Sequence, residues 1–223
     1  MTPTNHTIIF SHGFGTQKDS NGMFTAIANA LPEAKSVLFD YTDVDLEHNT
    51  LTAKPFSEQV ALLKSAVETE QKNNPDAIID IICHSQGSLI PTLANLSGIR
   101  KMILLAPPAT AGTNNMIARY QANPKTEFHF DGMSKLPRTD GSTTLVPAVY
   151  WEERKNETSP IGAYNKLAET TELFIIKANQ DNVIGNNILP GLSENITVKE
   201  LDGDHGFTET RPALIEVIRG IVL

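Results

Sequence analysis

Six short runs rich in apolar and β-branched residues, at 7–10, 36–39, 77–82, 101–105, 172–177 and 196–201, constrain the fold of this chain more than any other feature. A strand with one solvated face alternates apolar and polar residues, so strands that stay apolar at successive positions must be covered on both faces. Helical patterns fall between several of the runs. Met23, Phe24, Ile27 and Leu31 share one helical face, with Asp19 or Ser20 as N-cap and Pro32 as the stop. Phe56, Val60, Leu63 and Val67 form a second face just after Pro55. A last helix is predicted over 210–219, with Pro212 in its first turn, Gly220 ending it, and Leu214, Val217 and Ile218 turned inward. Strand and helix in alternation imply right-handed crossovers. The expected fold class is therefore α/β, a mostly parallel six-stranded sheet with helices on both faces.

The alternation lapses between about 109 and 170, where Pro, Gly, Asn and Thr mix with Met116, Tyr120, Phe128, Phe130, Met133, Tyr150 and Trp151. This stretch reads as a lid or cap insertion, 109–170, over a core made of 1–108 and 171–223. In doubly wound sheets ligands bind beyond the carboxyl ends of the strands, so the residues that follow each run are the ones to inspect for chemistry.

Charge and cysteine content exclude several classes. Eighteen Lys and Arg stand against 26 Asp and Glu in 223 residues, a formal charge of −8, and no basic run exceeds Arg100-Lys101 or Arg154-Lys155. A nucleic-acid partner is disfavoured, and the acidic balance gives no sign of a strongly anionic substrate. The single cysteine, Cys83, excludes an intrachain disulfide and any CxxC metal or redox motif. The apolar run 8–10 is too short for a signal sequence, and nothing approaches a membrane span of about 18 apolar residues. A soluble, cytoplasmic protein is expected, with no membrane partner.

Directly after the apolar run 78–82 stands Cys83-His84-Ser85-Gln86-Gly87, and Leu89, Ile90, Leu93 and Leu96 follow at helical spacing. A serine thus sits where strand becomes helix. A turn that exposes a hydroxyl there needs small residues two before and two after it, because a larger side chain would strike the neighbouring strand and helix. Gly87 meets that need and Cys83 approximates it. The helix that begins here points its amides at the same spot, so the Gln86 amide can bind a developing oxyanion. The first run ends in Ser11-His12-Gly13-Phe14-Gly15, a glycine-rich turn that presents the Phe14 amide as a second donor. A serine at this position also suits a simple N-cap; the glycine turn two strands away favours the catalytic reading. Pro91, six residues past the serine, removes a helical amide and is expected to kink the elbow helix.

A serine hydroxyl needs a base, and the base a carboxylate to fix its tautomer. Of six histidines, His205 follows the last run on a glycine-flanked loop, Asp202-Gly-Asp204-His205-Gly-Phe207. His12 and His84 belong to the two motifs, His6 precedes the first run, and His48 and His129 lie in irregular segments. For the acid, Asp181 follows the fifth run, in Gln180-Asp181-Asn-Val183-Ile184, with Asp40, Asp202 and Asp204 as rivals. The order Ser85, Asp181, His205 matches one known chain order of serine, acid and histidine.

On HGFG, the CHSQG elbow, the D-x-V-I loop at Asp181 and the DHGF loop at His205, the chain resembles the α/β hydrolases of the serine esterase and lipase kind. The resemblance spans nearly the whole chain outside 109–170. It implies the α/β-hydrolase fold, Ser85 as nucleophile, Asp181 as acid, His205 as base, and the Phe14 and Gln86 amides as the oxyanion hole. Two departures stand out: Cys83 occupies a place usually held by glycine, and the two N-terminal strands of the common eight-stranded sheet are missing.

The implied function is hydrolysis of a small or medium acyl or aryl carboxylic ester through an acyl-enzyme, with no cofactor and no metal. His12, Phe128, Phe130 and Trp151 are candidate substrate contacts. The same triad would serve a thioesterase, an amidase or peptidase, or a carbon–carbon hydrolase, and a non-catalytic ligand-binding protein is the alternative from another class.

Overall fold

The computed structural model describes residues 5–110, 112–155, 159–185 and 189–223. In chain order the strands among them are β1 (His6–Ser11), β2 (Lys35–Leu38), β3 (Thr42–Asp45), β4 (Thr50–Ala53), β5 (Ile78–His84), β6 (Ile99–Leu105), β7 (Met133–Pro137), β8 (Thr143–Pro147), β9 (Glu172–Ala178) and β10 (Thr197–Leu201). The helices are α1 (Met23–Asn29), α2 (Phe56–Asn73), α3 (Ile90–Ala94), α4 (Asn114–Gln121), α5 (Ala148–Lys155), α6 (Pro160–Leu167) and α7 (Arg211–Val222).

The six predicted runs form one sheet in the order β10-β9-β6-β5-β1-β2, and every pairing in it is parallel. Its side chains alternate between two buried clusters. Ile9, Ile81, Cys83, Met102 and Leu104 face α2 and α3, with Leu63, Val67 and Ile90. Ile8, Phe10, Ile82, Ile103 and Leu105 face α1 and α7, with Phe24, Ile27, Leu214 and Ile218. Two covered faces are the reason these strands read as unbroken apolar runs.

Three local expectations are corrected. The N-cap of α1 is Gly22, at φ 79° with no side-chain cap bond; the hydroxyl of Ser20 is instead bonded to His84. Helix α7 runs through Gly220 to Val222, because Ile221 and Val222 are buried and their burial outweighs a glycine cost of about 1 kcal/mol. The elbow helix is split: Ser85–Ser88 is a 3-10 turn and α3 begins at Ile90, with Pro91 in its first turn, where a missing amide costs nothing. Leu93 is 51% exposed on the short α3.

A second sheet, β3-β4-β8-β7, was not expected. It joins strands of the core sequence to strands of the expected insertion, since β8 from within 109–170 pairs in parallel with β4. The segment 109–170 therefore shares its sheet with 42–53, and Ala111 and 156–158 of it lie outside the described residues. Trp151 and Tyr150, both fully buried, join this region to α2 through Phe56. No helix among the described residues is long and apolar enough to cross a membrane.

Candidate active site

Strand β5 ends at His84, and the chain turns at Ser85 with φ 52°, a left-handed conformation that a non-glycine residue adopts at a cost of about 1–3 kcal/mol. Packing holds the turn in place. A Cβ on Gly87 would lie 2.2 Å from the Ser11 carbonyl oxygen and 2.5 Å from that of His12, so only glycine lets the elbow pass this close to the end of β1. The Ser11 hydroxyl donates to the Gly87 carbonyl at 2.8 Å and accepts from the Tyr41 hydroxyl at 2.9 Å, tying β1 to the elbow. Cys83 is fully buried among the α2-side residues, and burial pushes its thiol pKa far up, so it remains a neutral packing group. The elbow forms with cysteine in place of glycine.

Three side chains from three loops meet at the turn. Ser85 Oγ lies 2.8 Å from His205 Nε2, and His205 Nδ1 lies 2.6 Å from Asp181 Oδ2. The other Asp181 oxygen accepts the amides of Val183 at 2.9 Å and Ile184 at 3.0 Å. Burial works to raise the Asp181 pKa, but the hydrogen bond and charge of His205 and these two amides outweigh it, and the net shift is downward. Asp181 is therefore an anion at neutral pH. It receives the Nδ1 proton, which leaves Nε2 as the acceptor toward Ser85.

The rival carboxylates have other work. Asp40 accepts the Lys18 amide at 2.6 Å, Asp202 pairs with Gln180 at 3.2 Å, and Asp204 accepts the amide and hydroxyl of Thr208 at 2.7 and 2.8 Å.

His84 is a positioning residue that sequence reasoning set aside. Its Nε2 donates to the His205 carbonyl at 2.9 Å, its Nδ1 accepts from the Ser20 hydroxyl at 3.0 Å, and its ring lies 4.9 Å from that of His205. Burial, reinforced by the nearby His205, pushes its pKa down to about 3, so it holds the loop of His205 while staying neutral.

Ser85, His205, Phe14 and Gln86 all border one cavity of about 770 Å³, walled on its far side by α4 and the β7–β8 turn. Gly13 brings the turn carrying Phe14 against Ser85, since a Cβ there would lie 3.1 Å from Ser85 Cβ. The hydroxyl of Tyr150 is hydrogen-bonded to Gln86 Oε1 and anchors that side chain.

No protein-family model matches this sequence, and no curated protein does. Solved structures do match. The esterase Est1E from Butyrivibrio proteoclasticus, in its structure with ferulic acid bound, aligns with a TM-score of 0.70 at 17% identity, over 96% of this chain and 87% of that one. The esterase Pf2001 of Pyrococcus furiosus aligns with a TM-score of 0.66 at 14% identity, over 99% and 82%. XC6422 from Xanthomonas campestris, described as an α/β serine hydrolase without lid, gives 0.58 at 14% identity, over 97% and 80%.

The chain has the α/β-hydrolase fold. Within that fold, Ser85, Asp181 and His205 come together, and Phe14 and Gln86 border the same cavity. The four candidate substrate contacts do not. His12 is 1% exposed, its Nε2 accepting the Tyr41 amide at 2.7 Å and its Nδ1 donating to the Gly13 carbonyl at 2.9 Å, so it braces the glycine turn from behind. Phe128 and Phe130 stack at 5.6 Å and meet Trp151 edge-on at 5.9 and 5.3 Å, while Trp151 Nε1 donates to Ser134. These aromatics pack against one another and the second sheet and lie outside the cavity wall, which mixes apolar residues such as Met116, Val183 and Ile184 with polar ones. Arg119, Arg138, Arg154 and Arg211 line it instead. Nothing in their sequence spacing signals this, because they lie on four separate segments.

Proposed function

We propose that this protein is a serine hydrolase that cleaves a carboxylic ester through an acyl-enzyme. The observation that carries the reading is the continuous chain from Asp181 through His205 to Ser85, opening on a cavity. His205 Nε2 takes the Ser85 proton as Oγ attacks the acyl carbonyl, and the anionic Asp181 stabilises the imidazolium that forms. The amides of Phe14 and Gln86 receive the oxyanion; each such donor is worth about 10² to 10³ in rate. The imidazolium protonates the departing alkoxide, water then attacks the acyl-enzyme with His205 again as base, and the acid leaves with Ser85 restored. None of these steps calls on a cofactor. Residues 109–170, joined by β3 and β4, act as the cap over this site.

A fluorophosphonate probe tests the reading directly. The wild type is expected to be labelled at one site and Ser85→Ala not at all. An unlabelled wild type, or equal labelling of the variant, would sink the proposal.

A further inference from the structure

Four arginines around one cavity are unexpected in a chain of net charge −8. The described residues of the wall include a single carboxylate, Asp204, and both of its oxygens are taken by Thr208. The local charge is thus opposite in sign to that of the whole molecule. Arg154 is engaged in structure: it donates to the Gly112 carbonyl at 2.8 Å and lies over the Phe56 ring at 5.3 Å. The other three line the same cavity as Ser85. Arg138 pairs through Nε with the exposed Asp140 at 3.4 Å, while its Nη1 lies so near the oxyanion turn that a Cβ on Gly15 would come within 2.7 Å of it. Arg119 projects from α4 beside Tyr120. Arg211 donates to the carbonyl of Gly206, next to His205, at 2.9 Å, and its buried Nε has no hydrogen-bond partner among the described residues.

An ester whose remaining surface is neutral gains little from such a wall, whereas a second acid group on the substrate would find planar, two-pronged donors in the cavity that Ser85 borders. Resting on the hydrolase reading above, we propose that the substrate is an ester that also carries an oxyanion, a free carboxylate or phosphate-type group, held by Arg138 and Arg119 with Arg211 opposite. The anion orients the ester carbonyl toward Ser85, and the half-open cavity admits it from solvent.

Binding to Ser85→Ala protein tests this without turnover. Calorimetric titration would compare monomethyl adipate and methyl 5-phosphonopentanoate with the neutral diester dimethyl adipate. At least one anion is expected to bind about tenfold or more tightly than the diester, and to weaken between about 50 and about 300 mM salt. Which anion binds better distinguishes carboxylate from phosphate-type recognition. The advantage is expected to fall about tenfold in Arg138→Gln and in Arg119→Gln, with Arg138→Lys retaining part of it. Should Arg138→Gln fail to fold, Arg119→Gln, at an exposed position of α4, carries the test. The proposal is overturned if the diester binds as tightly as both anions, if neither anion binds at about 10 mM, or if the preference survives in the arginine variants. Failure of fluorophosphonate labelling would remove the hydrolase reading and leave these binding ratios standing, so the two failures are separable.

Discussion

Two buried aspartate–histidine pairs sit at opposite ends of the central sheet, and only one belongs to the cavity. At the start of β5, Asp80 meets His6 Nε2 at 2.8 Å. Beyond the end of β9, Asp181 meets His205 Nδ1 at 2.6 Å. Both carboxylates are almost inaccessible, and both have their pKa lowered although burial alone would raise it. The difference lies in the other partners. Asp80 also accepts Arg100 Nε at 2.9 Å and the Lys101 amide at 3.1 Å, and a second bond from the same guanidinium reaches its other oxygen. Its charge is neutralised on the spot. Among the described residues, Asp181 has only neutral amides besides the histidine, so its charge remains available to stabilise an imidazolium. His205 holds a serine on its far nitrogen and faces a cavity. On the hydrolase reading proposed above, the Asp181–His205 pair can serve catalysis because no fixed cation among the described residues shares its carboxylate and Ser85 lies beyond the ring.

The contrast can be broken by exchanging an amide for each carboxylate. Asp181→Asn is expected to cut turnover of a 4-nitrophenyl ester by about 10⁴, because the wrong tautomer then faces Ser85. Denaturant unfolding of the same variant is expected to stay near wild type, since Asn retains an oxygen for the Val183 and Ile184 amides. Asp80→Asn is expected to do the reverse. It leaves the guanidinium of Arg100, which is about a third exposed, against a neutral partner, costing about 1–2 kcal/mol in denaturant unfolding, while turnover by the folded protein changes less than about twofold. Loss of activity in the Asp80 variant at full folding would erase the distinction between the pairs.

A smaller effect comes from acid. The folded-state pKa of Asp80 lies below its unfolded value of about 3.9, so its contribution to stability is complete above that value. The contribution is lost as pH falls through the folded pKa, while Arg100 stays charged. Unfolding free energy measured from pH 5 downward is expected to decline less steeply in Asp80→Asn than in the wild type. Parallel curves would mean that Asp80 is not the ionised partner of Arg100.

Much of this was legible in sequence because the signals are local. Strands β1, β2, β5, β6, β9 and β10 announced themselves by apolar runs, and Ser85, Asp181 and His205 each follow directly after one of them. Strands β3 and β4 did not. Thr42–Asp45 reads TDVD, with no apolar run, and its pairing is supplied by β4, which is joined in turn to β8 from a distant part of the chain. The aromatic residues at 128, 130 and 151 looked like a pocket because composition is blind to direction; the buried Trp151 and the two phenylalanines pack on one another, outside the cavity that Ser85 borders.

By itself, then, the sequence determined the parallel core and the sharp serine turn, since periodicity and a Gly87 that no larger residue can replace are written in neighbouring residues. Only the tertiary structure decided which aspartate faces His205, that His84 braces the loop of the base, and that arginines from α4, the β7–β8 turn, α5 and α7 share one cavity. Those relations depend on segments far apart in the chain being brought within hydrogen-bond reach. The net charge of an acidic chain is a sum over all its residues, and it carries no information on where the positive ones meet.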